Sequence, residues 1–185
     1  MTQTLIVTGS PSATSRSRRF AEILTDRLSK LGLDSSLLDL RTLPPEPLLH
    51  ADPEAPEIAQ ALGRLAAASG VVFVTPVYKA AYSGLLKTFL DIVPQFGLRE
   101  KVVAPFAVGG TLAHVLSIDY GLRPVLSSLD PQHVVAGLFV LDKQIAVAPD
   151  GRVQLEPELS PKVDAALASY AAGLRRARTP LRESA

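Results

Sequence analysis

Three short stretches hold the residue types whose spacing could do chemistry. The first, Gly9-Ser10-Pro11-Ser12-Ala13-Thr14-Ser15-Arg16-Ser17, brings the hydroxyls of Ser10, Ser15 and Ser17 and the guanidinium of Arg16 to the start of a helical pattern. Free N–H groups and the positive end of the dipole at such a position favour an anion, and a single phosphate suits it. The stretch is neither G-x-G-x-x-G nor G-x-x-x-x-G-K-[ST], which argues against a Rossmann dinucleotide site and a Walker-type triphosphate site. The plainer alternative is that Ser15 or Ser17 caps the helix and Arg16 stays in solvent. The second stretch, Thr75-Pro76-Val77-Tyr78-Lys79-Ala80-Ala81-Tyr82-Ser83-Gly84, offers backbone N–H groups beside flat apolar surface at Pro76, Val77 and Tyr78. That suits a ring with a polar edge, although either tyrosine alone serves equally well as packing with a wet hydroxyl. In the third, Gly109 and Gly110 permit positive φ and close approach of backbone to a ligand, with Thr111 as a candidate N-cap. Its plain alternative is a strand-to-helix turn.

The elements that must position these stretches alternate. An apolar run at 5–7 precedes the first stretch, and Phe20, Ile23, Leu24, Leu28 and Leu31 follow at helical spacing. A second β-like run spans 36–40, and a proline-rich loop leads to an alanine-rich helix over about 58–69. Val71-Val72-Phe73-Val74 is uniformly apolar, as a strand covered on both faces must be. A helix starting near Ser83, a strand at 102–108, a helix from 112 to about 129, a strand at 134–140 and a helix over 162–178 complete the pattern. Such alternation predicts a parallel sheet with right-handed crossovers and helices on both faces. Residues 142–158 break it and predict a small hairpin at the edge. Ligands in such sheets bind beyond the carboxyl ends of the strands, where all three stretches fall.

At 185 residues the chain predicts one domain with a sizeable core. Apolar residues make up 47% and charged residues 20%, with a formal charge of +1, so no field holds a nucleic-acid backbone and no run is long enough to span a membrane. Cysteine is absent, which excludes disulfides, thiolate catalysis and iron–sulfur ligation, and redox chemistry would have to come from a bound cofactor. The start carries no secretion signal, from which a cytoplasmic address is expected.

Together the three stretches, with Leu86-Lys87 after the second, resemble the NAD(P)H-dependent FMN reductase family, and within it the subgroup that serves two-component alkanesulfonate monooxygenase systems. The resemblance covers about residues 3–141. It implies an α/β, flavodoxin-like three-layer sandwich with a five-stranded parallel sheet in the order 2-1-3-4-5; the single domain is expected to span 1–185, with a disordered tail from about 179. It implies FMN as substrate or loosely held cofactor and NADPH or NADH as reductant. Ser10, Ser15, Arg16 and Ser17 would take the FMN phosphate, Pro76, Val77 and Tyr78 the ribityl chain and isoalloxazine, and Gly109, Gly110 and Thr111 the pyrimidine end. It further implies a homotetramer and a monooxygenase partner that consumes reduced FMN to release sulfite from organosulfonates.

Pro124, in Ile118-Asp119-Tyr120-Gly121-Leu122-Arg123-Pro124, cannot donate to the carbonyl of Tyr120 and clashes with it, so a kink or π-bulge is expected. The resemblance places an inserted tyrosine, here Tyr120, at a π-helix in the tetramer interface, controlling flavin exchange. His114 reads as a packing residue of an apolar helix. His50 and His133 lie far apart with no metal spacing, and Lys87 and Asp91 form an i,i+4 pair. Hydride transfer between nicotinamide and flavin demands no acid–base triad, and none is evident. A quinone or azo-dye reductase with prosthetic FMN, a flavodoxin-type electron carrier and a helical oligomerisation module are the alternatives. The near-neutral charge and Arg16 argue against the carrier.

Overall fold

A computed structural model describes residues 3–148 and 151–177, and the tail expected from about 179 lies outside the described residues. In chain order the elements are β1 (Gln3–Thr8), α1 (Arg16–Lys30), β2 (Asp34–Asp39), a short α2 (Pro45–Leu49), α3 (Pro56–Ala67), β3 (Gly70–Tyr78), β4 (Ala81–Tyr82), α4 (Gly84–Ile92) and β5 (Val102–Gly109). A π-helical segment (Ser117–Leu122) then runs into α5 (Arg123–Ser128), β6 (His133–Val134), β7 (Leu138–Leu141), β8 (Ile145–Val147), β9 (Val153–Leu155) and α6 (Ser160–Ala177). The parallel order β2-β1-β3-β5, with β6 and β7 on the outer edge of β5, matches the expected order at five positions.

The central strands read as unbroken apolar runs because helices cover both faces. Leu5, Val7, Val71, Phe73 and Val103 pack on one face against Ile58 and Leu65 of α3, Leu86 and Phe89 of α4 and Leu126 of α5. Ile6, Val72, Val74, Ala104 and Phe106 pack on the other against Phe20 and Leu24 of α1 and Val163, Leu167 and Tyr170 of α6. Burying each such side chain stabilises by about 1.5–3 kcal/mol relative to exposure, so both faces drive the three-layer arrangement. Two polar groups stitch the layers together. Tyr170, fully buried, donates its hydroxyl to Thr4 Oγ1 at 3.1 Å, and burial pushes its phenol well above the usual range although the Thr4 contact opposes this. Lys101 donates to the carbonyls of Ala66 and Ala68 at 2.8 and 2.7 Å, satisfying the end of α3, and burial lowers its ammonium pKa.

Two expectations need correction. The sheet has seven strand segments rather than five, because β4 adds a short return to β3 and the fifth position is split. Val103 pairs Val134 and Phe106 pairs Leu138, so three residues of the outer strand oppose two of β5. The amides of His133 and Val135 donate to the carbonyls of Lys101 and Val103, so alternate residues of β5 face this edge. The next is Pro105, which has no N–H to offer, and a bulge forms opposite it. The continuous helix expected over 112–129 is instead a 3₁₀ turn (Leu112–His114), the π-helical segment and α5. His114 therefore lies in a half-exposed turn and not within an apolar helix. The π-segment appears where Pro124 requires a break: the Arg123 amide reaches back five residues to the carbonyl of Ile118. The edge hairpin expected within 142–158 is the antiparallel pair β8–β9.

Candidate active site

Loop geometry at the end of β1 follows from small residues and hydroxyls. Ser15 caps α1, its Oγ accepting from the Ser17 amide at 3.2 Å and lying 2.6 Å from Ser17 Oγ. Ser10 is buried, and its hydroxyl accepts from the Ser12 amide at 3.2 Å, shaping the loop from below. A Cβ on Gly9 would stand 2.6 Å from Leu86 Cβ, so only glycine lets the loop pass α4. The Ser83 hydroxyl donates to the Gly9 carbonyl while accepting from the Leu86 amide, and the Ser83 amide donates to Thr75 Oγ1 at 2.9 Å. One buried side chain thus caps α4 and ties the first loop to the second.

The second loop is a tight hairpin. Val77 and Tyr78 pair with Tyr82 and Ala81, and Lys79 and Ala80 turn between them at φ +50° and +64°. Two consecutive left-handed residues are the geometry of a type I′ turn, which Asn-Gly adopts without strain. Here each costs about 1–2 kcal/mol. The turn leaves Tyr78 48% exposed at the cleft and folds Tyr82 under Gly121. Burial raises the Tyr82 pKa; the Lys87 charge opposes the shift and Asp91 adds to it.

At the end of β5 a Cβ on Gly109 would meet Phe139 at 2.7 Å and Val77 at 3.3 Å, so this glycine lets three chain segments converge. Gly110 faces open space, where a side chain would enter the cleft. Positive φ, which these glycines permit, occurs among the described glycines only at Gly32 and Gly151. Thr111 caps the following turn, its Oγ1 accepting from the Ala113 amide at 3.2 Å.

These loops enclose a cleft of about 760 Å³ whose walls include Ser15, Arg16, Ser17, Pro76, Val77, Tyr78, Gly109 and Gly110. Ser10, Thr111 and Tyr120 do not line it; Ser10 sits beneath the loop, and Tyr120 stands 80% exposed in the π-segment. Sequence reasoning missed Ser12, Thr14 and Arg19 as lining residues and missed a whole wall made by Asp142, Lys143, Ile145, Ala146 and Val147. The signal was present: the fifth strand also has a carboxyl end, and Asp142-Lys143 follows it. Arg16 Nη1 donates to Asp142 Oδ2 at 3.3 Å across this gap. Among the described residues no cluster of three or more metal-ligating side chains occurs.

The residues fit FMN. A guanidinium and the free amides of a 15-residue helix stand at one end of the cleft, an exposed tyrosine and a side-chain-free glycine at the other, and the volume is ordinary for a ligand of that size.

A parallel three-layer sheet with an anion loop and a flat-walled cleft at its carboxyl edge defines a flavodoxin-like nucleotide-binding protein. A flavodoxin from Streptococcus pneumoniae TIGR4 shares this fold at TM-score 0.60 over 92% of this chain and 98% of its own, with 16% identity. Residues 2–146 match the model of the NADPH-dependent FMN reductase family, and the chain belongs to that family. It is 40% identical over 172 residues, 93% of this chain and 90% of the relative, to an FMN reductase (NADPH) from Escherichia coli K12. It is also similar to an NADH:FMN oxidoreductase solved in its apo form, at TM-score 0.84 and 34% identity, covering 94% and 90% of the two chains. The chain is accordingly an oxidoreductase using FMN and a reduced nicotinamide nucleotide. No described helix is long and apolar enough to cross a membrane.

Proposed function

We propose that this reductase takes FMN as a diffusible substrate and hands reduced FMN to a flavin-dependent monooxygenase that attacks alkanesulfonates. The observation that carries the exchange reading is the cleft itself: it is wide, and among the described residues Arg16 at its cationic end is held by an exposed ion pair to Asp142. When bound, FMN supplies hydride acceptance from the nicotinamide. The chain contributes position: Arg16, Ser15, Ser17 and the amides of α1 hold the phosphate, Val77 and Tyr78 flank the ring, and Gly110 leaves space beside it. No side chain is required to move a proton. The alkanesulfonate partner rests on the sequence resemblance, and the single-domain reading on chain length.

The same reading assigns a homotetramer. Leu112, Val115, Leu116 and Tyr120 expose 62%, 45%, 55% and 80% of their surfaces along one stretch, an apolar grouping that suits a subunit contact, with Tyr120 governing flavin exchange there. The test compares NADPH and NADH oxidation with and without added free FMN, after exhaustive dialysis. Turnover that depends on added FMN supports the substrate reading. Stoichiometric flavin surviving dialysis, with quinones or azo dyes reduced instead, would replace it with a prosthetic-flavin reductase.

A further inference from the structure

Arg16, the cation assigned to the FMN phosphate, already has an anion. Its Nη1 lies 3.3 Å from Asp142 Oδ2, with the two side chains 51% and 41% exposed. Both partners line the cleft from different elements: Arg16 opens α1, and Asp142 begins the turn after β7. The residues are 126 apart in sequence, so the fold and not a local turn sets the contact.

We infer that Asp142 is a built-in competitor for the FMN phosphate: it occupies Arg16 when the cleft is empty and is displaced when flavin binds. An exposed pair of this kind is worth about 0.2–1 kcal/mol, weak enough to exchange. A phosphate at the same place gains the charge-assisted contact to Arg16 and the free amides and dipole of α1 as well, so it wins. The displaced carboxylate then remains beside a dianion on the same turn, and its repulsion favours departure. Asp142 thereby sets FMN affinity below what the loop alone would give, which is the direction required of a reductase whose product leaves. Lys143, next in the chain and also lining the cleft, has no ion-pair partner among the described residues. This inference rests on the assignment of Arg16 to the FMN phosphate.

The experiment is a double-mutant cycle read by fluorescence titration of FMN and riboflavin, with Asp142→Asn, Arg16→Ala and the double variant, and Asp142→Ser as a second replacement should the first fold poorly. Asp142→Asn is expected to tighten FMN by about two- to fivefold, to leave riboflavin unchanged, and to slow FMN dissociation in stopped flow. The gain shrinks as salt is raised and disappears on the Arg16→Ala background. Equal shifts for both flavins, no shift for FMN, or an undiminished gain without Arg16 would each overturn the competitor role while Arg16→Ala still weakens FMN selectively. If Arg16→Ala weakens both flavins equally, the phosphate assignment itself fails and the inference falls with it.

Discussion

Ser83 shows how much one hydroxyl can hold. It caps α4, donates to the Gly9 carbonyl and sits fully buried beside Thr75, so no water replaces what it loses. Ser83→Ala is expected to destabilise by about 1–3 kcal/mol, from the lost cap and the orphaned Gly9 carbonyl. It is also expected to weaken FMN binding, because the first loop loses its tie to the second. Urea unfolding at constant slope, with a flavin titration on the folded variant, checks both, and an unchanged midpoint would sink the account. At this scale the sequence was readable in part. Ser15 and Arg16 stand out because a capped helix start has a residue signature, and Ser17 follows from its place beside the cap. Ser10 is less legible: its hydroxyl accepts from the Ser12 amide within the loop, and it does not line the cleft. Asp142 escaped because its partner is reached only through the fold.

Elements tell a similar story. Proline at 124 announced a break, and the break is a π-helical segment that leaves Ser117 Oγ buried without a partner among the described residues and Tyr120 standing in solvent. What composition concealed is that the apolar residues before it are exposed: helical spacing of Leu112, Val115 and Leu116 looks the same whether the surface faces a core or another subunit. Tyr120→Ala is expected to change stability by less than about 0.5 kcal/mol, since so little of the side chain is covered in one subunit. It is expected to shift assembly toward smaller species in sedimentation and to alter FMN exchange; an unchanged oligomer with unchanged exchange would leave Tyr120 without a role. The hairpin at Lys79-Ala80 was illegible for another reason, because neither residue favours the left-handed conformation that the strand ends impose.

Across the whole molecule, a parallel sheet covered on both faces followed from alternation and from the uniform apolarity of β3 and β5, while the strand order came with the resemblance. The layer contact at Tyr170 yields a pH prediction. Its phenol, raised by burial, keeps its proton in the folded state after the unfolded chain has begun to lose it near pH 10. That contribution is complete below pH 10 and declines as pH climbs above it, by up to about 1.4 kcal/mol per unit. Lys101, lowered by burial, acts in the opposite direction, gaining as pH rises toward its unfolded value. It is common to both proteins when Tyr170→Phe is compared with the parent. The variant is expected to be about 1 kcal/mol less stable at pH 7 and to close that gap between pH 10 and 11.5. A gap constant with pH would show that Tyr170 ionises freely in the fold.

The bulge opposite Pro105 has a mechanical meaning. Two short ladders hold the outer strand where one long ladder would otherwise run. The π-segment and the start of α5 brace the gap, with Arg123 donating to the carbonyls of Val134 and Val135 at 3.5 and 3.3 Å and Ile118 filling the space a Cβ on Gly137 would need. The split ladder is expected to let β7 pivot at residues 135–137 independently of β6, with the π-segment acting on the pivot. Because β7 runs directly into the Asp142 wall, the edge of the sheet becomes a lever between the surface that carries Tyr120 and the mouth of the cleft. Amides of 138–141 should then exchange with deuterium well before those of 71–75, and a uniform rate along the sheet would remove the hinge.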